Sequence, residues 1–215
     1  MVADLRRAAA PLGAALVVGV GNPDRGDDGA GPAVVEELRR IGATGGRPDV
    51  AQPPSAVSLP RSEGLAVLDA GDAPERYLGP MAESGAAVVV FVDAVDFGGE
   101  PGQAALLEER DLPRRSCVTH RSSLGLVMRY LQEQAGQGSL LLGIQPGSVA
   151  VGQGLTPAVR TAVTGVAAAI SEALGVAASE CEEGREDAPP CHCEPFDCAQ
   201  SLPRVERGGK LRAAK

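Results

Sequence analysis

The stretch from Leu16 to Arg40 constrains the fold of this chain more than any other, and it has the sequence LVVGVGNPDRGDDGAGPAVVEELRR. Its first residues, 16–20, form a short and nearly continuous apolar run, which is typical of a strand buried on both faces of a parallel sheet. Pro32 and the apolar residues that follow it at helical spacing predict a helix that begins near Gly31. The segment Asn22–Ala30 is therefore a strand-to-helix loop. In open α/β sheets, ligands bind at such loops, outside the carboxyl ends of the strands.

This first loop is acidic. It contains three acidic residues, Asp24, Asp27 and Asp28, and a single basic residue, Arg25. The dinucleotide fingerprint G-x-G-x-x-G is broken, because Asp24 occupies the position of its third glycine, and three carboxylates would repel a phosphate. The loop is better suited to a cation, and carboxylates at a helix N-terminus are held ionised by the helix dipole. The alternative is that Asp27 and Asp28 only cap the helix.

The rest of the chain alternates apolar runs with segments of helical periodicity. Its order predicts a three-layer α/β/α fold with a twisted, mostly parallel five-stranded sheet. Few aromatic residues are present, so the core must be built from Val, Leu, Ile and Ala. The further predicted strands are 65–68, 86–92, 104–107 at an edge, and 140–144; the further predicted helices are 74–83, one beginning at Ser122 or Ser123, and 156–174.

The length and composition predict one domain with appendages. We expect the domain to span 1–177, with a surface insertion rich in turn residues at about 42–63. Residues 178–215 lack sustained periodicity and predict a disordered tail. This tail holds four of the five cysteines and the motif Cys191-His192-Cys193. The motif could bind zinc or nickel, although its spacing matches no standard zinc module.

The formal net charge of -8 argues against a nucleic-acid partner. Arg6-Arg7 and the apolar run after them resemble a twin-arginine or secretory signal superficially, but the run contains Pro11 and is too short to cross a bilayer. No later run is long and apolar enough to cross a membrane. We therefore expect a cytoplasmic protein with no membrane partner.

Three residues are candidates for one metal site. Asp93 ends the most apolar strand, at the same edge of the sheet as Asp28, and His120 precedes a helix. Two carboxylates and one imidazole suit a borderline divalent ion such as nickel, zinc, manganese or iron, with positions left for water or substrate. Each residue alone also has an ordinary structural explanation. Cys117 and the serines at 122 and 123 are possible nucleophiles, but none lies in a recognisable nucleophile elbow.

Five motifs in order resemble those of the nickel-iron hydrogenase maturation endopeptidases, over about residues 14–175. An isolated G-x-G-N would mean little, whereas five motifs in sequence are specific. The motifs are GVGNPDRGDDGAG at 19–31, LDAGDAPE at 68–75, FVDAVDFGGEPG at 91–102, VTHRSSL at 118–124 and LLGIQP at 141–146.

The resemblance implies an endopeptidase, aspartic-type or metal-dependent, that removes a C-terminal peptide from a hydrogenase large-subunit precursor after nickel insertion. It implies that Asp28, Asp93 and His120 bind nickel, most simply the nickel of the substrate's active site. Catalytic roles fall to Asp27, Asp28 and Asp93, and Asp69 matches a further acidic position of the family pattern. The insertion and the cysteine-bearing tail depart from that pattern.

Two other functions stay open at this point. One is a nickel-sensing or nickel-delivery protein of the same fold without hydrolytic activity, and the other is a peptidase that resembles the germination proteases. Activity on a candidate precursor would separate the first of these from an endopeptidase.

Overall fold

The structure, a computed structural model, describes residues 14–42, 64–107 and 120–174, with the side chains of the last range described from Leu124 onwards. The strands are β1 (Ala14–Val20), β2 (Gly64–Gly71), β3 (Val88–Ala94), β4 (Ala104–Leu107) and β5 (Gly138–Ile144). The α-helices are α1 (Ala30–Arg40), α2 (Leu78–Glu83), α3 (His120–Gln134) and α4 (Pro157–Leu174), and two 3-10 turns cover Gly26–Gly29 and Pro74–Tyr77.

The five strands form one sheet in the order β2-β1-β3-β5-β4. All neighbours are parallel except β4, which pairs antiparallel with β5 at the edge. In the centre, Val17 lies opposite Val67 on one side and Val90 on the other. Because the parallel strands all end at one edge, the loops that follow β1, β3 and β5 meet there.

Helices cover both faces of the sheet. On one face, Val17 and Val90 pack into a core with α1 and α4, which contribute residues such as Leu38 and Ile170. On the other face, Leu16 and Phe91 pack with α2 and α3. Covering both faces explains why the central strands are apolar at consecutive positions rather than at alternate ones. The predicted three-layer α/β/α fold, with its mostly parallel sheet and a short edge strand at 104–107, is confirmed.

Some predicted boundaries were wrong. Asp93 is the penultimate residue of β3 and does not follow the strand, and His120 is the first residue of α3 and does not precede it. The first loop also contains the 3-10 turn Gly26–Gly29, which the sequence did not indicate.

The predicted insertion beyond Gly42 and the predicted tail, 178–215, lie outside the described residues. Where the structure describes helices, none combines the length and the apolar character needed to cross a lipid bilayer.

Candidate active site

The N-terminus of α1 presses directly on the ends of two strands. A Cβ atom at Gly31 would overlap the carbonyl oxygens of both Val20 and Val92. Only glycine permits so close an approach between main chains. The same approach brings the 3-10 turn Gly26–Gly29, which carries two aspartates, against β3. The glycine-rich sequence of the first loop therefore serves close packing rather than phosphate binding.

Asp27 is fully buried, with 0% of its surface exposed. Its Oδ2 atom accepts hydrogen bonds from the backbone N–H groups of Gly147 at 2.8 Å and Ser148 at 2.9 Å, and from the Thr156 hydroxyl at 3.0 Å. Its Oδ1 atom accepts from the Thr156 backbone N–H at 2.6 Å. Four donors of the β5–α4 loop therefore bind this carboxylate, three at Oδ2 and one at Oδ1.

These bonds determine the ionisation of Asp27. Burial acts to raise the pKa of this carboxyl, but the hydrogen bonds from Thr156, Ser148 and Gly147 outweigh it and hold the pKa below its ordinary value. Asp27 is thus a stable anion that ties the first loop to the β5–α4 loop.

Asp28, the next residue, has a different environment. It is 7% exposed, and its Oδ2 atom accepts a hydrogen bond from the Asn22 backbone N–H at 3.1 Å. No other hydrogen bond from the described residues reaches the Asp28 side chain, so its second carboxylate oxygen is available to a ligand. The capping alternative does not hold for α1, because Gly29 is its N-cap and no side chain caps it.

Asp93 is held by the sheet itself. It lies opposite Gly143 of β5, is 5% exposed, and directly follows Val92, whose carbonyl contacts Gly31. The predicted placement of Asp28 and Asp93 at one edge of the sheet is therefore correct.

The structure reveals a further polar residue at this edge, Gln145, which follows the last residue of β5. Its Oε1 atom accepts from the backbone N–H groups of Phe97 and Gly99, both at 3.0 Å, and its Nε2 atom donates to Asp96 Oδ1 at 3.1 Å. The sequence pattern alone did not indicate this role for Gln145. The available signal was a glutamine directly after an apolar strand, at the predicted ligand-binding edge.

The three loops of this edge form one packed unit. A Cβ at Gly147 would lie 3.3 Å from Pro101 on one side and 3.5 Å from Asp27 Oδ2 on the other. The segment Gln145–Thr156 thus stands between the β3–β4 loop and the first loop, and hydrogen bonds connect it to both.

His120 begins α3, but its side chain lies outside the described part of the structure, as do Cys117 and the side chains of the serines at 122 and 123. Among the side chains that are described, no three metal-binding groups come together. The three-ligand site of Asp28, Asp93 and His120 therefore stays a prediction, with two of its members placed at the same edge. Asp69 accepts a hydrogen bond from the Gly71 backbone N–H at 3.1 Å, which shapes the end of β2.

Comparison with known proteins gives a consistent result. The sequence profile described as "Hydrogenase maturation protease" (HycI) matches residues 57–173. The hydrogenase 3 maturation protease of Escherichia coli K12 is 29% identical over 145 residues, which cover 67% of this chain and 80% of that protein.

Solved structures agree with the sequence matches. The [NiFe] hydrogenase maturation protease HycI from Thermococcus kodakarensis KOD1 is similar with a TM-score of 0.65 and 30% identity, covering 80% of this chain and 99% of that one. The hydrogenase maturating endopeptidase HybD from E. coli is similar with a TM-score of 0.55 and 26% identity, covering 75% of this chain and 90% of that one.

Proposed function

This chain belongs to the hydrogenase maturation protease family, and on that premise we propose that it hydrolyses one peptide bond near the C-terminus of a nickel-loaded hydrogenase large-subunit precursor. It is an endopeptidase, like its relatives. We also propose that a hydrogenase large-subunit precursor is the substrate, that cleavage depends on nickel, and which residues form the site. The nickel belongs to the substrate and not to the resting enzyme.

The observation that carries the proposal is the contrast between two adjacent aspartates. Four donors of the protein bind the carboxylate of Asp27, at both of its oxygens. Asp28 keeps a carboxylate oxygen without a donor from the described residues, in a buried position beside the end of β3. A largely buried carboxylate whose free oxygen still reaches the surface can bind a ligand without competition from donors of the described residues, and this supports a role in binding or catalysis.

Recognition of the nickel would use Asp28, Asp93 and the imidazole of His120. These residues supply two oxygens and one nitrogen, a donor set that fits a borderline divalent ion such as nickel. Three protein donors leave coordination positions for groups of the precursor. Productive binding then depends on the metal, because only a nickel-loaded precursor can complete this set and bring its C-terminal segment to the edge of the sheet.

Hydrolysis adds a water molecule across the scissile bond: the water oxygen bonds to the carbonyl carbon, the carbon–nitrogen bond breaks, and the amine leaves with a proton. Asp28 is the better candidate to accept the proton of the water, because four hydrogen bonds already engage the carboxylate of Asp27 and its pKa is lowered. Asp27 supports the reaction by fixing the turn from which Asp28 projects.

The decisive experiment compares nickel-loaded with nickel-free precursor. We expect the purified protein to shorten only the loaded precursor on a denaturing gel, and Asp28→Asn to abolish the shortening while leaving the fold intact. Asp24→Asn is the matched control, because Asp24 is an exposed residue of the same loop and the substitution removes the same charge.

Each other outcome has a definite meaning. Equal cleavage of both precursors would refute the dependence on nickel. Cleavage of neither, together with tight nickel binding, would favour the nickel-sensing or nickel-delivery alternative. The expectation of a cytoplasmic location rests on the sequence alone.

A further inference from the structure

Two buried glutamines bracket strand β5. Gln137 directly precedes it and Gln145 directly follows it, and they are 5% and 6% exposed. Gln137 donates from Nε2 to the carbonyl oxygens of Met81 and Ala86, at 3.0 and 2.9 Å, at the edge of the sheet away from the carboxylates. Gln145 lies at the other edge, between the aspartate-bearing loops. A glutamine thus flanks this strand at each end, but only Gln145 lies at the edge of the sheet that carries the proposed site.

The side chain of Gln145 holds a turn that lacks regular secondary structure. The ladder between β3 and β5 ends with the hydrogen bond from Val95 N to Ile144 O at 2.9 Å. Beyond it, Gln145 Oε1 accepts from Phe97 and Gly99, and its amide group donates to Asp96. This one side chain therefore satisfies two backbone donors and one carboxylate in the residues that follow Asp93.

The main chain of Gln145 adds to this connection. Its carbonyl oxygen accepts from Gly102 N and its N–H donates to Gln103 O, both at 2.8 Å. Gln145 consequently contacts the β3–β4 loop at its beginning through the side chain and at its end through the backbone. Two points of attachment fix the loop more narrowly than either one alone.

We propose that Gln145 is a positioning residue for the proposed reaction: it fixes the turn Asp96–Gly99, and thereby holds the end of β3 that carries Asp93 in register with the Asp28 loop. This inference rests on the proposed function. Without the Gln145 side chain, the N–H groups of Phe97 and Gly99 lose their acceptor and the turn is free to move, which displaces the rim of the site.

The test compares Gln145→Met with Gln137→Met. Methionine keeps nearly the same volume and removes the hydrogen bonds, so both variants lose a buried amide at one end of the same strand. The measurements are the Tm, the Kd for Ni²⁺ by calorimetric titration, and kcat and KM for cleavage of the nickel-loaded precursor.

We expect both variants to lower the Tm, but only Gln145→Met to weaken nickel binding or lower kcat, by roughly tenfold or more, the size of effect typical of residues that orient ligands indirectly. Gln145→Glu serves as a second variant. It keeps the oxygen that accepts from Phe97 and Gly99 and places a second carboxylate beside Asp96, so it should retain more activity than Gln145→Met at equal or lower Tm.

Equal losses of nickel affinity and kcat in Gln137→Met and Gln145→Met would overturn the inference. Unchanged nickel affinity and kcat in Gln145→Met would also overturn it. Both outcomes leave the proposed function intact. If Gln145→Met does not fold, Gln145→Ala, which also removes both contacts to Phe97 and Gly99, takes its place: wild-type nickel affinity and wild-type kcat per folded molecule in Gln145→Ala overturn the inference. A wild-type protein that neither binds nickel nor cleaves the precursor overturns the proposed function and this inference together.

Discussion

Asp27 and Thr156 are joined by two hydrogen bonds, one from the backbone N–H of Thr156 at 2.6 Å and one from its hydroxyl at 3.0 Å. Thr156 is the residue before Pro157, the first residue of α4, and its hydroxyl oxygen also accepts from Val159 N at 3.5 Å. One carboxylate in the first loop therefore helps to fix the start of the last helix, far away in the sequence.

The first prediction concerns this connection. Asp27→Asn replaces one acceptor oxygen by an NH₂ group that faces N–H and O–H donors, so at least one of them loses its partner. We expect a loss of about 3 kcal/mol in the free energy of unfolding, or a fall of roughly 10 °C in Tm. Thermal unfolding measures this. Asp24→Asn, which removes the same charge from an exposed position of the same loop, should change the Tm little, and equal effects of both substitutions would contradict the assignment.

The second prediction is the pH dependence that follows from the lowered pKa of Asp27. The unfolded chain binds a proton near the ordinary value of 3.8, before the folded chain does. The stabilisation by Asp27 is therefore complete above that pH and is lost as the pH falls through the lower pKa of the folded state. Urea unfolding of the wild type and of Asp27→Asn should be measured at about pH 6, 4 and 3. The difference between their free energies of unfolding should decrease as the pH falls. A difference in the free energy of unfolding that does not change with pH would contradict this prediction.

The third prediction concerns the proposed nickel contacts. Asp28→Asn, Asp93→Asn and His120→Ala should each weaken binding of Ni²⁺ by about tenfold or more, because each removes one of three donors. Circular dichroism should show that the α/β fold is retained. If calorimetric titration gives wild-type affinity for all three variants, the site lies elsewhere; Asp24→Asn provides the baseline.

The fourth prediction concerns the contact between α1 and the strand ends. Gly31→Ala would place a methyl group onto the carbonyl oxygens of Val20 and Val92, which forces the helix to move and should cost about 2–3 kcal/mol. The control is Gly165→Ala in α4, where the added methyl meets nothing within 4 Å and should stabilise the protein by about 0.5–1 kcal/mol. Chemical denaturation measures both. A neutral Gly31→Ala would show that the contact is easily relaxed.

Much of this architecture could be predicted because it depends on local pattern. The apolar run 86–92 could only be a central strand, and its end placed Asp93 at the edge of the sheet where Asp28 lies. Strand ends were less predictable, because a polar residue such as Asp93 continues the β3 ladder opposite Gly143. Its side chain shows where apolar packing stops, not where backbone pairing stops.

The distinct roles of Asp27 and Asp28 could not be predicted, because they depend on partners that are distant in the sequence. The donors to Asp27 lie between Gly147 and Thr156, and nothing in the sequence DDG separates the two carboxylates. Gln145 was missed for the same reason, since its partners are in the β3–β4 loop.

The close approach at Gly31 also bears on how such a protein can diverge. Because main-chain atoms of α1 rest on the carbonyls of Val20 and Val92, no side chain acts as a spacer between the first loop and β3. Exchanges of Val, Leu and Ile in the core layer formed with α2 and α3, on the other face of the sheet, can then occur while this backbone contact stays the same. The separation between the segment that carries Asp28 and the segment that carries Asp93 therefore depends little on which apolar residues form that layer.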